Sequence, residues 1–112
     1  MVAKKYIPEQ GDIVFLDFSP ANGHEQKGAR PAVVVSKHAF NRATGMALVV
    51  PVTSKQKGYP FEVVLHSKKV AGVALVDQLR SVDYRARNAC LAASVSGAVL
   101  KEIRMKFSAI LE

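Results

Sequence analysis

The sequence predicts a mainly β domain with helices (α+β): a small, strongly bent barrel or sheet of short antiparallel strands with one amphipathic C-terminal helix packed on it. Three observations carry this. Short apolar runs alternate with clusters of Gly, Pro, Asn, Asp and Ser along most of the chain. Several runs, such as Ile13-Val14-Phe15-Leu16 and Val33-Val34-Val35, are nearly continuous, as strands covered on both faces are. From Val99 onward the apolar spacing becomes helical. The 112 residues suit one domain spanning the chain, with no repeat, linker or low-complexity tract.

In order, Gly11-Asp12 opens a first strand, Ile13 to Phe18, which Ser19-Pro20-Ala21-Asn22-Gly23 breaks. A second strand, Ala32 to Ser36, follows a polar loop. Lys37 to Arg42 reads as a short helical turn or irregular connection ended by Thr44-Gly45. The third strand is Met46 to Val50, ending at Pro51-Val52-Thr53-Ser54. After the basic turn Lys55 to Pro60 come a fourth strand, Phe61 to Leu65, and a fifth, Val73 to Arg80. Ser81 to Arg87 reads as a polar connection and Ala89 to Ala93 as a last strand. The helix has Ser96 as N-cap. Val99, Leu100, Ile103, Phe107, Ile110 and Leu111 form its apolar stripe, and Glu102 with Lys106 an i,i+4 pair.

The formal charge of +7 favours a polyanionic partner, and the cations are dispersed rather than gathered in a tail. Cys90 is the only cysteine, so no intrachain disulfide forms; its apolar surroundings predict a small buried side chain. No signal peptide or membrane-spanning run is expected, and a cytoplasmic location is. His24, His38 and His66 are far apart, and the aspartates lack metal-ligand spacing, so metal-free chemistry without a cofactor is expected. Phosphate-loop, zincin and nucleophile-elbow motifs are absent.

Three strand ends carry polar groups that a scaffold does not require: Glu25 to Arg30, Thr53-Ser54 and Asp77-Gln78. If strands two and three are antiparallel neighbours, Arg30 and Thr53 meet at one rim. An arginine fork grips phosphate oxygens and a threonine hydroxyl can donate to the same group. Tyr59 lies beside Lys55 and Lys57, and Tyr84 beside Arg85 and Arg87. Such rings stack on unpaired bases while the cations hold the backbone. The competing readings are plain: a hairpin loop with one surface ion pair, turn chemistry at Thr53-Ser54, and tyrosines covering the core edge.

Six collinear stretches resemble the MazF/PemK family of toxin endoribonucleases. They are Gly11-Asp12, Gly23 to Val34, Thr44-Gly45-Met46, Pro51-Val52-Thr53-Ser54, Lys57 to Val63 and Asp77-Gln78-Leu79-Arg80-Ser81. The resemblance implies an SH3-like barrel with a C-terminal helix and a homodimer. It also implies metal-independent cleavage of single-stranded messenger RNA and a MazE-like antitoxin whose acidic, flexible C-terminal segment blocks the enzyme. By position, Arg30 and Thr53 match the family's catalytic pair and Glu25 its acidic loop residue. Gln26, Lys27, Ser54, Lys55, Lys57, Tyr59, Gln78, Arg80, Tyr84 and Arg87 are the expected RNA contacts. Phe15 and Tyr84 stand where some relatives carry Trp.

The implied reaction is attack of the RNA 2′-hydroxyl on its own phosphate at an ACA-like site, leaving a 2′,3′-cyclic phosphate and a 5′-hydroxyl. Arg30 would stabilise charge on the phosphate, since a guanidinium is a poor proton donor near neutrality. Thr53 would hydrogen-bond the same group with Ser54 as helper, and Glu25 is the candidate base. The rival is a non-catalytic nucleic-acid- or protein-binding barrel, such as a gyrase-poisoning toxin of similar fold.

Overall fold

A computed structural model describes residues 5–18 and 29–112. Among these the order is β1 (Asp12–Leu16), β2 (Arg30–Val34), α1 (His38–Thr44), β3 (Met46–Thr53), β4 (Glu62–Val64), β5 (Val73–Leu75), a 3₁₀ turn (Val76–Gln78), β6 (Arg80–Asp83), β7 (Cys90–Ser94) and α2 (Gly97–Leu111). The seven strands form one antiparallel sheet in the order β4-β5-β3-β2-β1-β7, with β6 also on β3. The mainly β expectation with a C-terminal helix holds. The hydrogen-bonded path among the described residues runs from β4 to β7 without closing on itself.

Strand β3 bends the sheet. Its eight residues pair with β2 on one side; on the other they pair first with β6 and then with β5. A bulge between Ile13 and Val14 in the β1–β7 ladder adds curvature. The continuous apolar runs follow from burial on both faces. Ile13, Val33 and Val50 are cross-strand partners and point into one core, with Val63, Leu65 and Val76 and with Val99 and Ile103 of α2. Val14, Leu16, Val34 and Val49 point the other way, into a second core completed by Val82 and Tyr84.

Helix α2 starts where expected: the Ser96 hydroxyl accepts a hydrogen bond from the Val99 amide at 3.2 Å. Its Lys106 ammonium lies 3.3 Å from the Glu102 carboxylate. The α1 turn ends at Gly45, which takes φ 75° as a left-handed cap. Asn41 ties α1 to the chain before β1, donating to the Pro8 carbonyl at 2.9 Å, and accepts from the Ser36 hydroxyl at 2.5 Å.

Two expectations are corrected. The single strand expected over Val73 to Arg80 is broken by the 3₁₀ turn, and β6 takes up part of the expected polar connection. Cys90 is exposed, not buried: it lies on β7, which among the described residues is an end strand paired with β1 alone.

Candidate RNA-binding site

The antiparallel β2–β3 ladder pairs Ala32 with Pro51 and Val33 with Val50. Continued along the same register, Arg30 at the start of β2 falls opposite Thr53 at the end of β3. The backbone thus brings the two residues to one rim, as the strand order in the sequence suggested. Arg30 is exposed and Thr53 half-buried. The Thr53 hydroxyl oxygen accepts a hydrogen bond from the Lys55 amide at 3.1 Å. That bond fixes the oxygen and leaves the hydroxyl hydrogen available to donate. On the far side of Thr53, Val73 of β5 is its partner. Gly72 packs so closely that an added Cβ would lie 2.5 Å from the Thr53 carbonyl oxygen, and its φ is +138°. Only glycine fits both demands.

A groove of about 630 Å³ opens beside Thr53, between the 55–60 segment and the 3₁₀ turn. Lys55, Lys57 and Tyr59 line one wall and Asp77 with Gln78 the other. Both lysines and Gln78 are exposed, so cationic, aromatic and amide groups converge beside the β2–β3 rim. The Tyr59 hydroxyl crosses the groove and donates to Asp77 Oδ2 at 3.0 Å. That bond to a carboxylate raises the phenol's proton affinity above its ordinary value. The ring itself is 45% exposed and meets Phe61 edge-on, with centroids 5.8 Å apart.

The other expected contacts are not gathered there. Arg80 lies over the Phe18 ring, 5.1 Å from its centroid, at the start of β6. Arg87 is half-buried and donates from Nη1 to the Asp17 carbonyl at 2.8 Å, outside the groove wall. Tyr84 corrects the sequence reading. It is only 3% exposed, and its hydroxyl donates to the Asn41 carbonyl at 2.8 Å. A ring enclosed in the second core has no face for a base. Ser54 is exposed immediately after β3. Glu25, Gln26 and Lys27 lie outside the described residues.

The sequence reading missed Glu62. It begins β4, is 8% exposed and lines the groove, yet its carboxylate accepts from backbone amides of the basic segment. The available signal was an acid flanked by Phe61 and Val63 just after the Lys57-Gly58 turn. Among the described residues, no three His, Cys, Asp or Glu side chains lie together as metal ligands would.

Residues 9–111 match the model of the PemK-like, MazF-like toxin of type II toxin–antitoxin systems. The chain is 44% identical over 110 residues to the endoribonuclease toxin MazF of Escherichia coli K12, covering 98% of this chain and 99% of that one. It is 42% identical over 119 residues to the endoribonuclease toxin ChpB of the same strain, covering 99% and 100%. The crystal structure of MazE–MazF from Deinococcus radiodurans superposes with a TM-score of 0.90 at 47% identity, covering 96% of this chain and 97% of that chain.

Proposed function

This chain belongs to the PemK-like, MazF-like toxin family, and on that premise we propose that it is an endoribonuclease toxin that cuts single-stranded RNA at the β2–β3 rim. The observation that carries the reading is the placement of Arg30 opposite Thr53 at the mouth of a groove walled by Lys55, Lys57 and Tyr59. Relatives spanning nearly the full chain carry the endoribonuclease name, which favours catalysis over a binding-only barrel.

The chemistry uses what RNA brings. The 2′-hydroxyl gives its proton to a base and attacks the adjacent phosphorus; the P–O2′ bond forms, the P–O5′ bond breaks, and the 5′-oxygen takes up a proton. The products are a 2′,3′-cyclic phosphate and a 5′-hydroxyl. Positioning and charge stabilisation are the protein's tasks. Arg30 offers a permanent charge and two parallel N–H groups to the non-bridging oxygens. Thr53, its oxygen fixed by the Lys55 amide, donates its hydroxyl hydrogen to the same phosphate. Lys55 and Lys57 neutralise neighbouring phosphates, and Tyr59 stacks on a base. Glu25 is the proposed base, and an ACA-like triplet the proposed site. The reaction requires no metal ion.

The partner follows from the same surface. Solved relatives pair a MazF with a MazE, and we assign this chain a MazE-like antitoxin whose acidic, flexible segment occupies the groove beside Lys55 and Lys57 in place of RNA. We also assign a homodimer. Val99 and Ile103 of α2 pack into the chain's own core, while Met105, Ile110 and Leu111 stay exposed and are available to a second copy. No helix among the described residues is long and apolar enough to cross a membrane; the cytoplasm, where messenger RNA is translated, is the proposed location.

The test is single-turnover cleavage of a single-stranded RNA in excess EDTA, with the ends mapped. The wild-type chain should cut and leave cyclic-phosphate ends. Arg30→Ala should remain folded and cut about 10²–10³-fold more slowly, the scale for losing one charge-stabilising donor. Full activity in folded Arg30→Ala would remove the assignment, and loss of wild-type cleavage in EDTA would remove the metal-free mechanism.

A further inference from the structure

The 55–60 segment makes one wall of the groove, and its residues are exposed. Gly58 within it has φ +78°, and a Cβ added there would meet nothing within 4 Å. Thr53 holds the Lys55 amide and Asp77 the Tyr59 hydroxyl; the backbone between them is held by Glu62. Glu62 Oε1 and Oε2 accept from the Lys57 amide at 3.2 and 3.0 Å, and Oε1 also accepts from the Gly58 amide at 3.1 Å. The Glu62 amide in turn donates to the Tyr59 carbonyl at 3.1 Å. One residue at the start of β4 thus ties down three consecutive residues of the groove wall.

Two features set this carboxylate apart from an ordinary strand-end acid. It is 8% exposed, and among the described residues the sole ion pair is Lys106 with Glu102, so the partners of Glu62 are backbone N–H groups. Burying a carboxylate is costly unless such bonds compensate it. Its negative charge also lines a groove that must accept a polyanion, where it opposes binding. What offsets both costs is the fixed shape of the segment, which presents Lys55, Lys57 and Tyr59 without ordering them at each encounter.

We propose that Glu62 is a positioning residue for RNA binding, whose buried carboxylate holds the 55–60 segment as a ready-made lip of the groove. The proposal rests on the RNA-cleaving reading above. Lys106 supplies an internal contrast. Its ammonium donates to the Glu62 carbonyl at 3.1 Å, anchoring the residue to α2 without touching the carboxylate's bonds to the lip.

The experiment compares wild type, Glu62→Gln and Lys106→Met. Each is measured for melting temperature, amide hydrogen exchange at Lys57 and Gly58, and KM and kcat on single-stranded RNA. Glu62→Gln places an NH₂ donor against backbone donors. It should lose protection at both amides and raise KM about tenfold, the scale of one charge-assisted hydrogen bond, with a smaller change in kcat. Lys106→Met should lower the melting temperature yet leave KM and both amides as in wild type. Should Glu62→Gln fail to fold, Glu62→Asp, one methylene short, takes its place and should give an intermediate KM. The proposal is overturned if KM stays at the wild-type value in the folded Glu62 variant, or if both variants raise KM alike, since that is general loosening. A wild-type protein that protects both amides yet neither binds nor cuts RNA would instead sink the RNA-cleaving reading itself.

Discussion

Tyr84 and Tyr59 show how one residue type parts company in context. Both sit beside basic residues in the sequence, and a stacking role fits either on that ground alone. Burial separates them: Tyr84 is 3% exposed and Tyr59 45%. Spacing does not report on which side of a turn a ring falls, and the 3₁₀ turn that precedes β6 carries no Gly or Pro to announce it. Tyr84→Phe should therefore cost about 1 kcal/mol of stability through loss of the bond to the Asn41 carbonyl. RNA cleavage per folded molecule should not change. Chemical unfolding paired with a cleavage assay checks this; a large loss of cleavage without loss of stability would return Tyr84 to the RNA surface. Arg30 and Thr53 were legible because antiparallel pairing of consecutive strands fixes which ends meet. Glu62 was not, because a carboxylate that binds backbone amides has no side-chain partner in the sequence to betray it.

At the scale of elements, β3 organises the site. It changes partner from β6 to β5 along its length, and Thr53 falls at its end against Val73. The amphipathic helix and most strands could be read from the sequence, since periodicity reports the faces that burial covers. The break at Val76–Gln78 could not, because Val76 continues the apolar run into the core while Asp77 and Gln78 carry no Gly or Pro signal that would mark a turn. The cost of holding Thr53 falls on Gly72. Gly72→Ala would drive a methyl carbon to 2.5 Å from the Thr53 carbonyl oxygen at a φ of +138°. It should destabilise the fold by about 1–3 kcal/mol, the scale of such strain, and slow cleavage in the molecules that remain folded. Thermal unfolding with a single-turnover assay separates the two effects. Unchanged values in both would mean that β5 does not support the site.

At the scale of the whole molecule, the +7 charge favours polyanionic partners, and the proposed function gives RNA and an acidic antitoxin segment the same groove beside Thr53. Light scattering of the chain alone should report twice its 12.1 kDa mass. Titrating a MazE-like antitoxin into that species should displace an uncleavable RNA analogue, with association slowing as salt rises. Simultaneous, independent occupancy by both would place inhibition elsewhere. In the proposed reaction Arg30 and Thr53 act together on one phosphate. A double-mutant cycle tests it most directly, using single-turnover cleavage by wild type, Arg30→Ala, Thr53→Ala and the double variant in excess EDTA. Residues that serve one transition state as a unit lose little more together than the worse one loses alone. The account predicts that the double variant cuts about as slowly as the slower single variant, roughly 10²–10³-fold below wild type. Losses that multiply, or a folded double variant that cuts at the wild-type rate, would contradict it.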